Sequence, residues 1–293
     1  MSALWSNVLT QVCISLVAVA GVYVLTGLTG MFSLGQAAFM AVGSYVSGIL
    51  VVRYHWALLP AVIAAILFAM LLGFIIGYPV VRLRRDYISL VTLGFGESIA
   101  ALLNRMTKLT GGASGFIGIP RKTTLLMAAI SALAAIILVA FFKRSKYGRQ
   151  CVALRGDELA AKAMGINVTR IKMIAFLLSV ALTSYAGALY AFYMSYVEPG
   201  SFGWKKSADW VIMVFFGGVN SLTGSTLGAF ILTALPQLPF MRALQSYRYV
   251  VYAILVLLII NFKPSGLLGE WELTDLFRKK GKKLPKAEDK EVR

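Results

Sequence analysis

Charge is what this sequence has least of. Only 14% of its 293 residues are Asp, Glu, Lys or Arg, against 59% hydrophobic. A soluble domain carries about 25% charged residues and about half apolar ones. Residues 1–52 hold no charged side chain at all. Too little charge remains to cover a water-facing surface, which excludes an ordinary soluble domain. The chain reads as an integral membrane protein.

Histidine and cysteine are nearly as scarce. One histidine (His55) and two cysteines (Cys13, Cys151) leave no material for a metal cluster and form no CxxC. With Cys13 in an apolar run and Cys151 in a basic loop, no disulfide is expected. No G-x-x-x-x-G-K-[ST] occurs, and the glycine-rich stretch at 111–118 lacks the lysine that a phosphate cradle needs. ATP binding by that route is excluded. Acids are outnumbered 12 to 29, giving a net charge of +17. The excess lies in a few loops and the tail, so it orients spans rather than gripping nucleic acid.

What is present is apolar sequence in span-sized pieces. About 20 such residues cross a bilayer as a helix. Eight segments qualify: Val8–Leu28, Ser33–Val52, Ala57–Val81, Tyr87–Leu103, Thr124–Phe142, Met173–Ser195, Ala208–Leu238 and Arg248–Phe262. The first has no basic flank and exceeds a signal-peptide core, so it is kept as a span. Tyr87–Leu103 is short. Ala208–Leu238 is long and interrupted by Gly217-Gly218 and Gly224. The expected class is an all-α polytopic membrane protein with broken or re-entrant helices.

Two connections are strongly basic. Residues 143–172 carry eight cations against Asp157 and Glu158, and the tail 263–293 carries nine against six acids. Both are expected in the cytoplasm. The chain divides into a transmembrane unit, 1–262, with its cytoplasmic loop 143–172, and a basic tail, 263–293, with an affinity for phospholipid. Counting spans back from that loop puts Arg82–Arg85 inside, and residues 104–123 and the N-terminus outside. Ala208–Leu238 must then enter and leave from the outer side, turning at Gly217–Gly224 as a hairpin. Such irregular backbone is tolerated only against protein or a watery cavity. Gly30–Gly35 and Gly218–Gly224 echo each other, as the broken helices of repeat-built transporters do.

The basic loop contains a capped helix. Asp157 is an N-cap with Glu158 in the first turn, and Gly165 is a left-handed stop. About two and a half turns of alanine-rich helix are expected between them, with Ala160, Ala161 and Ala163 small enough to admit another protein. Asn167 or Thr169 then caps the following helix. Glu97, flanked by Gly94 and Gly96, is the one acid well inside a span. That makes it a transport-site candidate or a structural hydrogen-bond acceptor. Thr92, Ser98, Ser179, Thr183 and Ser184 are expected to satisfy helix backbone.

The stretch Glu158-Leu159-Ala160-Ala161 to Gly165 resembles the coupling helix of ABC importer permeases. Tyr147-Gly148-Arg149, Arg155, Gly165–Lys172 and Ala175-Phe176 look like the branched-chain amino-acid permease family specifically. So do Leu109–Gly115 with Gly118–Pro120, Phe32–Phe39 with Gly43 and Tyr45, and the later Gly217-Gly218, Ser221-Leu222, Gly224, Gly228 and Lys263–Gly269. Two features depart from the general importer motif: Leu159 separates the glutamate from the alanines, and no Leu-Pro follows.

The resemblance implies a bacterial inner-membrane permease subunit of an importer for leucine, isoleucine and valine. A homologous second permease, two ATPase subunits carrying ATP and magnesium, and a periplasmic or extracellular binding protein would complete it. This chain itself would hold no cofactor and catalyse no reaction. Asp157, Glu158, Ala160, Ala161, Met164 and Gly165 would engage the ATPase. Ser33, Gly35, Gln36, Gly94, Glu97, Gly217, Gly218 and Ser221 are candidates for the path. Gly111, Gly112, Ser114 and Gly115 are candidates for docking the binding protein. Relatives that carry urea, amides or other amino acids remain open, as does an ion-coupled transporter using Glu97.

Overall fold

The computed structural model describes residues 3–237, 250, 253, 254, 257, 261 and 266–269. Its helices are α1 Ala3–Tyr23, α2 Gln36–Arg53, α3 Leu58–Val80, α4 Arg85–Arg105, α5 Thr107–Thr110, α6 Leu125–Arg144, α7 Lys146–Gly156, α8 Glu158–Ala163, α9 Val168–Met194, α10 Trp204–Gly217 and α11 Leu222–Ala234. Among the described residues the only sheet is a two-residue antiparallel ladder. It joins β1 Phe116–Ile117 to β2 Tyr196–Val197, with Phe116 opposite Val197. The protein is an all-α polytopic membrane protein. Six helices (α1, α2, α3, α4, α6 and α9) are long and apolar enough to cross a bilayer.

Differences from the expected spans have physical reasons. The short segment Tyr87–Leu103 lengthens to Arg85–Arg105, because long cationic side chains at helix ends reach polar surroundings while their stems stay apolar. The helix that runs into Met173–Ser195 begins at Val168, and of the two expected caps it is Asn167 whose side chain accepts the Arg170 N–H, at 3.1 Å. That cap draws Arg170 and Lys172 into α9. Arg248–Phe262 and the tail lie, apart from scattered positions, outside the described residues.

Ala208–Leu238 is two helices packed on each other, as its glycines imply. The break has Gly218 at φ +120°, and the Ser221 hydroxyl accepts the Gly224 N–H at 3.0 Å to start α11. The carbonyls of Phe216 and Gly217, orphaned at the end of α10, accept from the Leu267 and Leu268 N–H groups at 3.1 and 3.3 Å. Protein thus supplies the hydrogen bonds that lipid could not. A second break follows α1, where Val24–Thr29 widens into π-helix and Gly30 turns at φ +69°. The Thr92 hydroxyl receives the Leu34 N–H at 3.1 Å, and the Ser207 hydroxyl receives the Ala37 N–H at 2.9 Å. The two breaks meet: Phe32 stacks on Phe215 at 5.5 Å, and the Tyr23 hydroxyl donates to the Asn220 carbonyl at 3.3 Å.

Burial sorts the spans into two layers. Of an 18-residue apolar stretch in each span, 72%, 72% and 67% is buried in those of α1, α2 and α9, against 28%, 22% and 28% in those of α3, α4 and α6. Small residues let the central helices touch: the Ser44 hydroxyl donates to the Gly187 carbonyl at 2.7 Å, and a Cβ added at Gly187 would overlap the Met40 carbonyl. Leu59, Ile63, Leu67, Leu71 and Ile75 form an exposed apolar row along α3, and Leu126, Ile130, Leu133, Ile137 and Phe141 another along α6. Such rows suit lipid.

The two ends of the bundle are distinct. Arg85 donates to the carbonyls of Leu154 and Arg155, which groups 82–85 with the basic region 143–172. At the other end, Arg121 and Tyr193 both bond to Asn7 at 3.1 Å, which groups the N-terminus with 104–123. Span counting anticipated this pairing of ends.

Candidate functional site

At the basic end, α7 and α8 form a compact module. Ser145 caps α7, accepting the Gly148 N–H at 3.2 Å. Asp157 caps α8, accepting from Leu159 and Ala160 at 2.8 and 3.1 Å. The far end of α8 closes with Gly165 at φ +80°, the Ile166 N–H on the Ala161 carbonyl and the Gly165 N–H on the Lys162 carbonyl. This paired arrangement satisfies the last carbonyls and stops the helix. The helix is only six residues, not two and a half turns, because the stops at Asp157 and Gly165 leave room for less than two turns at about 3.6 residues each.

Its outward face also differs from the expected one. Ala161 is buried, whereas Leu159 and Met164 are 79% and 83% exposed. Ala160 and Ala163 stay on the open side. Glu158 points inward, and both its carboxylate oxygens accept from Lys172 Nζ at 2.8 Å. Lys172 is almost wholly buried. The bridge locks α8 to the start of α9, the helix at the centre of the bundle.

Cations at this end grip both helix breaks, Arg155 from α7 and Lys143 from the last turn of α6. Arg155 donates to the Gly27 carbonyl at 2.6 Å, inside the π-helical turn. Lys143 Nζ donates at 2.9 Å to the Tyr23 hydroxyl and to the Asn220 carbonyl. A cavity of about 180 Å³ lies between these groups, lined by Tyr23, Gly27, Leu28, Lys143, Val152, Arg155 and Asn220. Arg155 thus ties α7 to the break after α1, and Lys143 ties the end of α6 to the break after α10.

The path candidates separate into two sets. Ser33, Gly35 and Gln36 are packed inside: the Gln36 amide oxygen accepts from Thr183 at 3.2 Å, and a Cβ at Gly35 would overlap the Thr92 carbonyl. Gly217, Gly218 and Ser221 form the α10–α11 break, where Gly217 lies against Gly224. Gly94 and Glu97 instead lie on the outward face of α4 with Ala101 and Asn104, all exposed. Glu97 Oε1 accepts the Trp204 N–H at 3.1 Å, at the start of α10. Beside it opens a cavity of about 490 Å³ bordered by α4, α9, α10 and the turn before α10. Of the scattered hydroxyls, Thr92, Ser98 and Thr183 do bond helix carbonyls, while Ser179 Oγ has no partner.

The candidate docking loop is tightly built rather than slack. Gly111, Gly112 and Gly115 all have positive φ, and the Tyr196 hydroxyl donates to the Ser114 carbonyl at 3.3 Å. The β1–β2 ladder pins this loop to the segment after α9.

Several residues escaped sequence reading. Lys172 is in a different helix from Glu158, so helical spacing does not pair them; its only signal was a cation opening an apolar run. Asp209 was similarly visible as the sole acid in Ala208–Leu238. Leu159 looks like a core residue in sequence, although the structure turns it outward beside Met164, which was already expected on the coupling surface.

Residues 4–260 match the family described as "Branched-chain amino acid transport system / permease component". The chain is 31% identical to the high-affinity branched-chain amino acid transport system permease protein LivM of Salmonella typhimurium, over 89% of this chain and 69% of that protein. It is 25% identical to the permease protein LivH of Escherichia coli, over 86% of this chain and 90% of that one. A solved structure, PsaBC from Streptococcus pneumoniae in complex with Fab, superposes with a TM-score of 0.49 at 20% identity, over 90% of this chain and 93% of that one. The packed all-α bundle, its glycine-marked breaks and the match across nearly the whole described fold lead to one conclusion: the chain belongs to the family of branched-chain amino acid transport system permease components.

Proposed function

We propose that the chain is the transmembrane subunit through which an ABC importer passes leucine, isoleucine and valine, with the 143–172 end in the cytoplasm. It works beside a homologous second permease and above two ATPase subunits, which bind ATP and magnesium. A periplasmic or extracellular protein delivers the substrate to the opposite end, where Gly111, Gly112, Ser114 and Gly115 shape the loop between α4 and α6. The membrane is the bacterial plasma membrane, with the C-terminus on its cytoplasmic side.

One observation carries this reading. A short, doubly capped helix stands at the basic end, holding Leu159 and Met164 outward while Glu158 anchors it to Lys172. Exposed apolar side chains on a rigid, charged-rimmed knob suit a groove in a partner protein. ATP closes the partner dimer, the knob moves with it, and α9 takes up the displacement through the Glu158–Lys172 bridge. Arg155 and Lys143 carry the same displacement to the breaks after α1 and α10. The spans then open alternately to the two sides.

The test is recovery of an ATP-binding subunit with the tagged chain from its native membrane in mild detergent. Leu159→Glu with Met164→Glu is expected to abolish recovery while leaving the chain folded, since neither side chain is part of the core. Equal recovery with both variants contradicts the placement of the coupling surface.

A further inference from the structure

The cavity beside Glu97 gathers further charge, from the start of α10, around an acid that lies inside a span. Glu97 and Asn104 come to it from α4, Lys205, Lys206 and Asp209 from α10, and Tyr190 from α9. Charged side chains inside spans are costly and mark pathways or water-filled cavities. The contrast with the outer rows of α3 and α6, which are wholly aliphatic or aromatic, is sharp. The part of α4 that carries Glu97 and Asn104 therefore borders a polar cavity, while Leu90 and Val91 nearer its start are exposed apolar residues.

The charges in the cavity cancel. Two acids, Glu97 and Asp209, oppose two bases, Lys205 and Lys206. A site that selects a simple cation or anion carries an excess of one sign; this one matches a molecule bearing both. Its volume of about 490 Å³ falls in the usual range for small-molecule sites, about 300–1,000 Å³. Glu97 is already oriented, since the Trp204 N–H holds Oε1 at 3.1 Å. Lys206 Nζ stands 5.9 Å from the centre of the Tyr190 ring, which sets a cation beside an apolar wall.

We propose that this cavity is a way-station for an α-amino-acid zwitterion: the acids receive its ammonium, the lysines its carboxylate, and Tyr190 and Trp204 its apolar side chain. The inference rests on the importer reading and narrows it. Urea and amides carry no full charge, so a balanced set of four ionic groups would be wasted on them.

The experiment uses the assembled importer in lipid nanodiscs. Gly200 lines the cavity, and a Cβ added there meets nothing within 4 Å, so Gly200→Cys introduces a reporter without strain. Labelling by a maleimide is read with the unaltered chain as blank. L-Leucine at ten times its dissociation constant should slow labelling about ten-fold. 4-Methylpentanoate and 3-methylbutylamine, each with one of the two charges, should not protect. In parallel, Glu97→Gln and Lys206→Met should lower leucine uptake about ten- to hundred-fold, the range for losing a hydrogen bond to a charged group. Glu97→Asp should retain part of it. Protection by the singly charged analogues, or none by leucine, overturns the proposal. So does unchanged uptake in Glu97→Gln. An importer that assembles and transports but gives these results loses only the way-station; a chain that never recovers an ATPase loses both readings.

Discussion

At the scale of single residues, the Glu158–Lys172 pair is the most exposed to test. Lys172 is 2% exposed and its partner 39%, so removing the carboxylate strands a buried ammonium. Breaking fully buried pairs costs about 3–5 kcal/mol; with one partner half in water, Glu158→Gln should cost about 1–3 kcal/mol. Thermal unfolding in detergent reads this directly. The double variant Glu158→Gln with Lys172→Met should recover part of the loss, because the stranded charge is gone. Cys151 gives a second prediction. Burial in α7 pushes its thiol up from 9.0 to about 12, so the folded protein keeps it protonated and unreactive. Iodoacetamide at pH 8 should leave Cys151 unmodified until denaturant is added. A raised value also means that the folded state is favoured below pH 9 and loses that contribution as pH climbs from 9 toward 12.

At the scale of elements, the close crossings of α2 and α9 set the tolerance of the core. A Cβ at Gly187 would overlap the Met40 carbonyl, and one at Gly43 the Ser184 carbonyl. Gly187→Ala should destabilise by about 1–3 kcal/mol through overpacking, seen as a lower unfolding temperature, whereas Gly200→Ala should have little effect. The elements themselves were readable to different depths. Asp157 and Gly165 marked both ends of α8 because capping chemistry is local. The length of the helix between them was overestimated, since alanines do not say where a six-residue helix turns its face. Gly217-Gly218 and Gly224 announced the broken hairpin, for only there must backbone bend inside an apolar run. The partners of that break, Leu267 and Leu268, were invisible because sheet-like bonding across fifty residues leaves no periodic trace.

At the scale of the whole molecule, hydropathy displayed the spans, and the basic loops grouped their ends as the structure does. Which helices are central was not legible: α3 is more apolar than α2, yet α2 is the buried one. The small residues Gly43, Ser44 and Ser47 place it there, because close approach rather than hydrophobicity decides burial among spans in lipid. The convergence of Glu97, Asp209, Lys205 and Lys206 on one cavity was also hidden, since it depends on where α10 begins. Under the proposed function, α8 is the handle by which ATP hydrolysis elsewhere moves this bundle.

The direct measurement is leucine uptake by proteoliposomes containing the assembled importer, with ATP supplied at the α8 side, binding protein at the other, and proton and sodium gradients collapsed by ionophores. Uptake that proceeds, requires ATP, and is lost with Leu159→Glu and Met164→Glu is the predicted result. Uptake by the chain alone, driven by an ion gradient without ATP, would contradict it.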